Sequence, residues 1–350
     1  MKILLFCENK YAIDILRPIH DEAILEGGND ILWFIDQRKI TDFPYKDEVC
    51  YTHSMQECYD YHPDAVFVPG NIVPYYLSGV KIQVFHGYAA EKKDHWVIRR
   101  YFDTYFTQGP FFTGPFKKLS QKYGDFEVLE TGWPRQDWIA RHRHDYDDQR
   151  QQLLDEHGKE RIVLYAPTFS PSLTSLGDMK EALRSLVRQN KDTLVIMKFH
   201  PLTAQHHLDN YRQLAAEEKD ILFIDDFTVT KYMLMADVMI SDTSSTIYEF
   251  LLLNKPVITL RAVAKDIYWQ DCDTPEEIPA AYRTAITDDP ALEKRQWIIR
   301  NYDPYTDGRV AHRMLEGARD FIRRHGVPEY RKLNIWRKYT SIKTFGRVKK

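Results

Sequence analysis

The chain has 350 residues, of which 43% are hydrophobic and 28% charged, with a formal net charge of −3. That balance belongs to a folded protein and excludes wholesale disorder, and the length suggests two domains of roughly 150 residues each. Only 15 glycines are present, which excludes glycine-rich repeats, and no run approaches the roughly 18 apolar residues of a membrane-spanning helix. The opening run from Ile3 meets an acid at Glu8 after five apolar residues, unlike a signal peptide. The expectation is a cytoplasmic protein, at most peripheral at the inner face of the cell membrane. The four cysteines, Cys7, Cys50, Cys58 and Cys272, form no C-x-x-C pair and suggest neither a disulfide framework nor a zinc site.

In chain order, short β-branched or aromatic runs alternate with longer amphipathic ones, which predicts an α/β protein with parallel sheets. The first half offers strands over 2–6, 30–35, 65–68, 82–85, 104–106 and 127–129. Helices are expected over 12–25, 95–102 and 115–123, and another opens at Trp133-Pro134-Arg135. A polar stretch, densest from Arg141 to Asp148, marks the best domain boundary and leads into a helix over 149–156. The second half repeats the alternation, with strands over 161–166, 193–199, 221–224, 238–240 and 256–260. Helices are expected over 178–188, 204–218, 229–235 and 244–253. Three more helical segments follow, the last over 308–324. This gives domains at 1–145 and 146–322 and a basic aromatic segment at 323–350.

That last segment holds ten Lys/Arg and one acid, Glu329, so it carries +9 and the rest of the chain −12. Tyr330, Trp336, Tyr339 and Phe345 are interleaved with the charges. The mixture suits an anionic membrane surface; the plainer alternative is a solvated, partly frayed tail. Nucleic acid is not expected as a partner, because the acidic body repels it.

Two open α/β domains place their ligand at the carboxyl ends of the strands, and five places there carry unusual polar residues. His86-Gly87 ends an apolar strand, where a neutral imidazole can take a proton from a hydroxyl; the alternative is a histidine bonded to backbone. Tyr165-Ala166-Pro167-Thr168 ends another strand and offers a hydroxyl and an N–H. Lys198-Phe199-His200-Pro201 puts Lys198 and His200 on one face by strand alternation, suited to a diphosphate. Ser241-Asp242-Thr243-Ser244-Ser245 sets hydroxyls before a helix, an arrangement suited to an anion, with Glu249 further along for a ribose. Arg309 and Arg313, ahead of and within the last long helix, are candidate phosphate contacts. The D-x-D run at Asp271-Cys272-Asp273 reads as a plain helix approach. There is no P-loop, no G-x-G-x-x-G and no G-x-S-x-G.

Taken in order, His86-Gly87, Gly132-Trp133-Pro134-Arg135, Tyr165-Ala166-Pro167-Thr168, Lys198-Phe199-His200-Pro201, Ser241–Ser245 with Glu249-Phe250 and Lys255-Pro256, and Asp307-Gly308-Arg309 resemble the CDP-glycerol glycerophosphotransferase family, the teichoic-acid and capsule primases and polymerases. The resemblance runs from about Val84 to Arg313. It implies a GT-B architecture, two Rossmann-like domains with parallel sheets facing across a crevice, the first serving the acceptor and the second the CDP donor. It implies transfer of a glycerol-phosphate or related polyol-phosphate unit from a CDP-activated alcohol to a hydroxyl of a cell-surface glycan, lipid-linked primer or polymer, releasing CMP.

On that reading His86 and His200 are the essential histidines. Gly87, Arg135, Thr168, Lys198, Ser241, Asp242, Thr243, Ser244, Ser245, Glu249, Arg309 and Arg313 are the binding residues. No dedicated metal cage is expected; Mg²⁺ riding on the donor diphosphate is compatible with the motifs. A GT-B glycosyltransferase or sugar-nucleotide epimerase is the alternative enzyme class. A non-catalytic relative that binds CDP or anionic polymer is the alternative outside enzymes.

Overall fold

The computed structural model describes residues 1–88, 93–226, 229–264, 266–331 and 333–349. The chain divides into two compact units, one formed by Met1–Arg141 with Asn301–Lys350 and the other by His142–Arg300.

The first unit is a seven-stranded parallel sheet in the order β3-β2-β1-β4-β5-β6-β7. Its strands are β1 (Lys2–Cys7), β2 (Asp30–Ile35), β3 (Tyr51–Thr52), β4 (Ala65–Val68), β5 (Val80–Gln83), β6 (Thr104–Thr107) and β7 (Glu127–Glu130). The central strands β1 and β4 read as continuous apolar runs because helices cover both faces of a parallel sheet, and every residue from Ile3 to Cys7 is buried. The helices are α1 (Tyr11–Glu26), α2 (Met55–Asp60), α3 (Pro110–Tyr123) and α4 (Arg135–His142). The expected helix over 95–102 is replaced by a single 3₁₀ turn, Lys93–Trp96. Its side chains explain this: His95 stacks on Phe85 at 5.0 Å and Trp96 on Phe112 at 6.1 Å, so ring packing fixes the segment in place of a helical ladder.

The second unit is a six-stranded parallel sheet in the order β10-β9-β8-β11-β12-β13. Its strands are β8 (Arg161–Tyr165), β9 (Thr193–Lys198), β10 (Ile221–Ile224), β11 (Val238–Ser241), β12 (Val257–Leu260) and β13 (Gln270–Cys272). The helices of this unit are α5 (Asp147–His157), α6 (Met179–Gln189), α7 (Gln205–Glu217), α8 (Thr230–Met235), α9 (Thr246–Leu252) and α10 (Ile278–Thr287). Helix α6 shows why these segments pack: Met179, Leu183 and Leu186 recur at helical spacing and are buried against Val163, Val195 and Ile240 of the strands, one apolar face on a sheet.

The first crossing between the units falls at Arg141/His142, within the polar stretch expected to hold it, while the expected division at 322/323 differs from the structure. The return to the first unit falls at Arg300/Asn301, inside the continuous helix α11 (Leu292–Tyr302), where no proline, glycine or polar run signals it. Helix α12 (Val310–His325) then packs on α1. Asp137, buried in α4, accepts the N–H groups of Val310 at 2.8 Å and Ala311 at 2.7 Å, satisfying two of the donors a helix start leaves without partners. Gly132 sits at φ +89°, and a side chain there would meet Val310 and Tyr305 within 3.0 Å. The basic segment is not a frayed tail either. It ends in helix α13 (Ile335–Phe345), and Phe345 is buried in the core of the first unit.

Candidate active site

In a doubly wound sheet, ligands bind outside the carboxyl ends of the strands where the strand order reverses. In the second unit that point lies between β8 and β11, which pair in parallel. The two loops leaving it are Ala166-Pro167-Thr168 and Asp242-Thr243-Ser244, both among the sequence motifs. Asp242 ties them together. One carboxylate oxygen accepts the N–H of Thr168 at 2.8 Å and of Thr243 at 2.6 Å; the other accepts the N–H and hydroxyl of Ser175 at 2.8 and 2.9 Å. Burial pushes this carboxyl above its ordinary range, and the four donors pull it back. Ser241 is buried and its hydroxyl donates to the Ala166 carbonyl at 2.7 Å. These two residues, expected to bind a donor, are therefore the frame of the loop.

The hydroxyls that remain toward solvent belong to Thr243, Ser244 and Ser245. Thr243 Oγ1 accepts the N–H of Val263 at 2.9 Å, and Ser244 Oγ lies 2.8 Å from Thr246 Oγ1. Ser245 precedes α9, is exposed, and caps no backbone N–H with its side chain. Since α9 has seven residues, these side chains, rather than a long helix dipole, are what the loop offers an anion. Glu249, expected at a ribose, is 8% exposed within α9. Asp271 accepts the N–H of Ala262 at 3.0 Å, so the D-x-D run is strand-edge structure.

His200 follows β9, next to β8. It is exposed, and its Nδ1 accepts the N–H of Leu202 at 3.1 Å. A backbone N–H can only donate, so Nδ1 is bare and the proton of the neutral ring sits on Nε2. Phe169 stacks on the ring with centroids 4.2 Å apart, a contact not anticipated from the sequence. Partial burial lowers the affinity of this imidazole for a second proton, and the Lys198 ammonium lowers it further. Lys198 itself departs from expectation. It is buried and its Nζ donates to the Phe199 carbonyl at 2.8 Å. Burial pulls its pKa down, against the opposing charges of Asp226 and Asp225. It acts on His200 through charge and is not presented as an open phosphate ligand.

In the first unit the reversal lies between β1 and β4, and His86 is placed beside it. Strand β5 stops at Gln83, before the expected end, because Phe85 takes φ +59°, a conformation that is strained for an aromatic residue and that clusters at functional sites. The turn exposes His86. Its Nδ1 lies 3.3 Å from the Pro69 carbonyl at the end of β4. A carbonyl can only accept, so Nδ1 carries the proton and Nε2 carries the lone pair. Gly87 follows at φ +143°, with open space where a side chain would be, and its carbonyl accepts from Gln108 at 2.8 Å.

The sequence did not single out what surrounds His86. The Tyr11 ring is 5.3 Å away, and burial followed by the nearby Glu8 pushes its phenol up to about 12. Glu8 is buried and its carboxyl is raised by burial. Tyr88 OH donates to Asp303 Oδ2 at 2.7 Å, and the same oxygen accepts the N–H of Trp133 at 2.9 Å. Burial pushes Asp303 up to about 8. Asp303 thereby joins the His86-Gly87-Tyr88 turn to the Trp133-Pro134-Arg135 motif. The signal was present as Asp303-Pro304-Tyr305, a loop carboxylate just ahead of the last motif.

Arg135 opens α4 and is half-buried. Arg309 is exposed ahead of α12 and its N–H donates to Asp307 at 3.2 Å. Arg313 is engaged: it pairs with both oxygens of Asp307 at 2.8 and 3.2 Å, donates to the Thr131 carbonyl at 2.9 Å, and lies over the Tyr305 ring at 4.3 Å. Both arginines lie in the first unit, whereas the expected bounds of 146–322 put them in the second domain. Glu22, Glu26 and His312 also converge. Their carboxylates are paired with Arg141 at 3.1 Å and with Arg319, which makes the cluster an ion-pair network.

Comparison with known proteins agrees with this fold. The fold matches the structure of the wall teichoic acid polymerase TagF with a TM-score of 0.64 at 16% identity, covering 92% of this chain and 89% of that one. It matches the S. aureus MnaA–UDP co-structure with a TM-score of 0.66 at 13% identity, covering 92% and 97%. Both likenesses place the fold in the GT-B class. In sequence, the chain is 23% identical over 316 residues to the teichoic acid ribitol-phosphate primase of Bacillus spizizenii, 78% of each protein. It is 26% identical over 137 residues to the teichoic acid glycerol-phosphate primase of Bacillus subtilis, 38% of this chain and 33% of that protein. The model of the CDP-glycerol:poly(glycerophosphate) glycerophosphotransferase family matches residues 78–317. That span is more than half of the chain and holds all six motifs, and the protein belongs to this family.

Proposed function

We propose that the protein transfers a glycerol-phosphate or related polyol-phosphate unit from a CDP-activated alcohol to a hydroxyl of a cell-envelope glycan, primer or polymer. The observation that carries this reading is the opposite partner at Nδ1 of the two histidines, a carbonyl 3.3 Å from His86 and a donating N–H at 3.1 Å for His200, which sets opposite tautomers. His86 presents a lone pair on Nε2, as a base requires. His200 presents a proton on Nε2, as a group stabilising a phosphoryl oxygen requires.

In the proposed reaction the acceptor oxygen bonds to the β-phosphorus as the bond from that phosphorus to the oxygen bridging to the α-phosphate breaks. CMP leaves with the electron pair, and the acceptor proton passes to His86. The Nε2–H of His200 and the hydroxyls of Ser244 and Ser245 hold the diphosphate oxygens, with Thr168 and Thr243 beside them and Arg135, Gly87 and Arg309 on the acceptor side. Positioning and charge stabilisation are the main tasks in phosphoryl transfer. Asp242 is saturated with N–H and O–H donors and does not fit a metal ligand, so no step is assigned to Mg²⁺.

A donor panel tests the reading. Purified protein is incubated with CDP-glycerol, CDP-ribitol and UDP-sugars in the presence of glycan and primer acceptors. CMP release from a CDP-alcohol is expected. Consumption of a UDP-sugar with the CDP-alcohols untouched would establish the glycosyltransferase or epimerase reading instead.

A further inference from the structure

Glu8 follows the apolar run of β1 and is only 9% exposed, yet among the described residues its carboxyl has no hydrogen bond and no ion pair. Burial raises this carboxyl, Lys39 works against burial, and Asp36 works with it. Asp36 itself is held by Arg38 at 2.7 Å. A carboxyl withdrawn from water with no donor to meet it costs stability. Folded chains carry such costs where a ligand supplies what the fold does not.

The place of Glu8 in the fold says which ligand. The first sheet reverses its strand order between β1 and β4; Glu8 leaves β1, and Pro69-Gly70-Asn71 leaves β4. A side chain at Gly70 would collide with the Glu8 carboxyl, so this glycine makes the room that the carboxyl occupies. Buried Gln83 fixes the turn, donating to the Gly70 carbonyl at 3.1 Å and to Asn71 Oδ1 at 2.9 Å. His86 lies against the same turn, its Nδ1 3.3 Å from the Pro69 carbonyl. Two successive residues of one turn therefore bring the unpartnered carboxyl and the proposed base to the same place. Tyr11 joins them, its ring 5.3 Å from that of His86 and its hydroxyl accepting from Asn9 at 3.2 Å.

The charge of the site selects the group it takes. A carboxylate accepts hydrogen bonds from hydroxyls, and Glu8 with Asp36 nearby repels a phosphate. A site built to hydrogen-bond a hydroxyl also rejects the analogue that lacks it, because its own polar group is then left unpaired.

We propose that Glu8 binds a second hydroxyl of the acceptor, next to the one that reacts at His86, so that the enzyme selects acceptor ends carrying a free diol. The proposal rests on the transfer reading only for calling this ligand the acceptor. The probes are the methyl phosphodiester of glycerol, which ends in a diol, and its counterpart without the central hydroxyl. Binding to the full chain is measured by calorimetry, and turnover by CMP release from CDP-glycerol. Glu8→Ala removes the carboxyl, and Gly70→Ala adds a methyl group that displaces it.

Wild type is expected to bind the diol about tenfold more tightly than its counterpart. Both variants should bind the two probes alike, with the KM for CDP-glycerol unchanged. Since Glu8 has no partner in the chain, the thermal midpoint of Glu8→Ala should not fall. A wild type without the preference, or a Glu8→Ala variant that keeps it, would overturn the proposal. A lowered midpoint with the preference intact would do the same and make Glu8 structural. A preference lost in both variants, in a wild type that releases no CMP, would uphold the hydroxyl site while overturning the transfer reading.

Discussion

Asp242 accepts the backbone N–H of Thr168 at 2.8 Å, across from the strand that carries it, and so makes one rigid element of two loops that are 74 residues apart. Asp242→Ala would leave that N–H and those of Thr243 and Ser175 without a partner. It is expected to lower stability by about 3 kcal/mol, read as a lower urea midpoint, and to weaken donor binding with it. Asp242→Asn keeps one accepting oxygen and should fall between wild type and alanine. An unchanged midpoint for the alanine variant would show that the loops stand without this tie.

Two serines in the same motif separate frame from ligand contact. Ser241→Ala removes the buried bond to the Ala166 carbonyl and should cost about 1 kcal/mol of stability. Ser245 is exposed, so Ser245→Ala should leave the midpoint unchanged. Losing a hydrogen bond to a charged phosphate should raise KM for the CDP donor about tenfold. A Ser245 variant with wild-type KM would remove this hydroxyl from the donor site.

The His200 imidazole is held neutral by partial burial and then by Lys198. Its folded pKa is therefore below the ordinary value of 6.5, so Nδ1 should stay unprotonated and keep accepting the Leu202 N–H as pH falls through that value. Lys198→Met removes the second cause, so the titration of this ring followed by NMR should move to higher pH. Stability follows the same sign. The unfolded chain binds the proton first, so the contribution of this histidine is complete above pH 6.5 and is lost as pH falls from there toward the depressed folded value. A His200 titration that stays in place in Lys198→Met would contradict the assignment.

Asp303 titrates in the other direction. Its folded pKa is pushed from 3.8 up to about 8 by burial, so between those values the folded protein binds the proton more tightly than the unfolded chain. The contribution of this carboxyl to stability is fully present below pH 3.8 and is lost as pH rises through about 8. Asp303→Asn cannot ionise, and the fall in stability across that interval should flatten. Denaturant midpoints at pH 5, 6, 7 and 8 check it; a slope equal to that of wild type would contradict it.

The two parallel sheets were legible because buried parallel strands are written as apolar runs: 2–6, 65–68, 161–166 and 193–199 all lie on central strands. The edge strands Tyr51–Thr52 and Gln270–Cys272 were missed, since two or three residues at a sheet edge leave no period. The positions of His86, His200 and the hydroxyl loop at strand ends could be read from Gly and Pro punctuation. Which polar residues face the ligand could not. Asp242, Ser241, Lys198 and Arg313 look like ligand residues in sequence and are spent on backbone groups or ion pairs in the fold. The second crossing between the units lies within α11, where the sequence carries only helix. The basic composition of α13 was visible, but its docking depends on Tyr75 and Phe6, more than 250 residues away.

The central claim rests on His86 as the base. The most direct test is CMP release from CDP-glycerol in the presence of a hydroxyl acceptor, by wild type and by His86→Ala. His86 is exposed at a strand end, so the variant should fold, which its thermal midpoint checks, while kcat falls about 10²–10⁴-fold. CMP release by the folded variant at the wild-type rate would contradict the account.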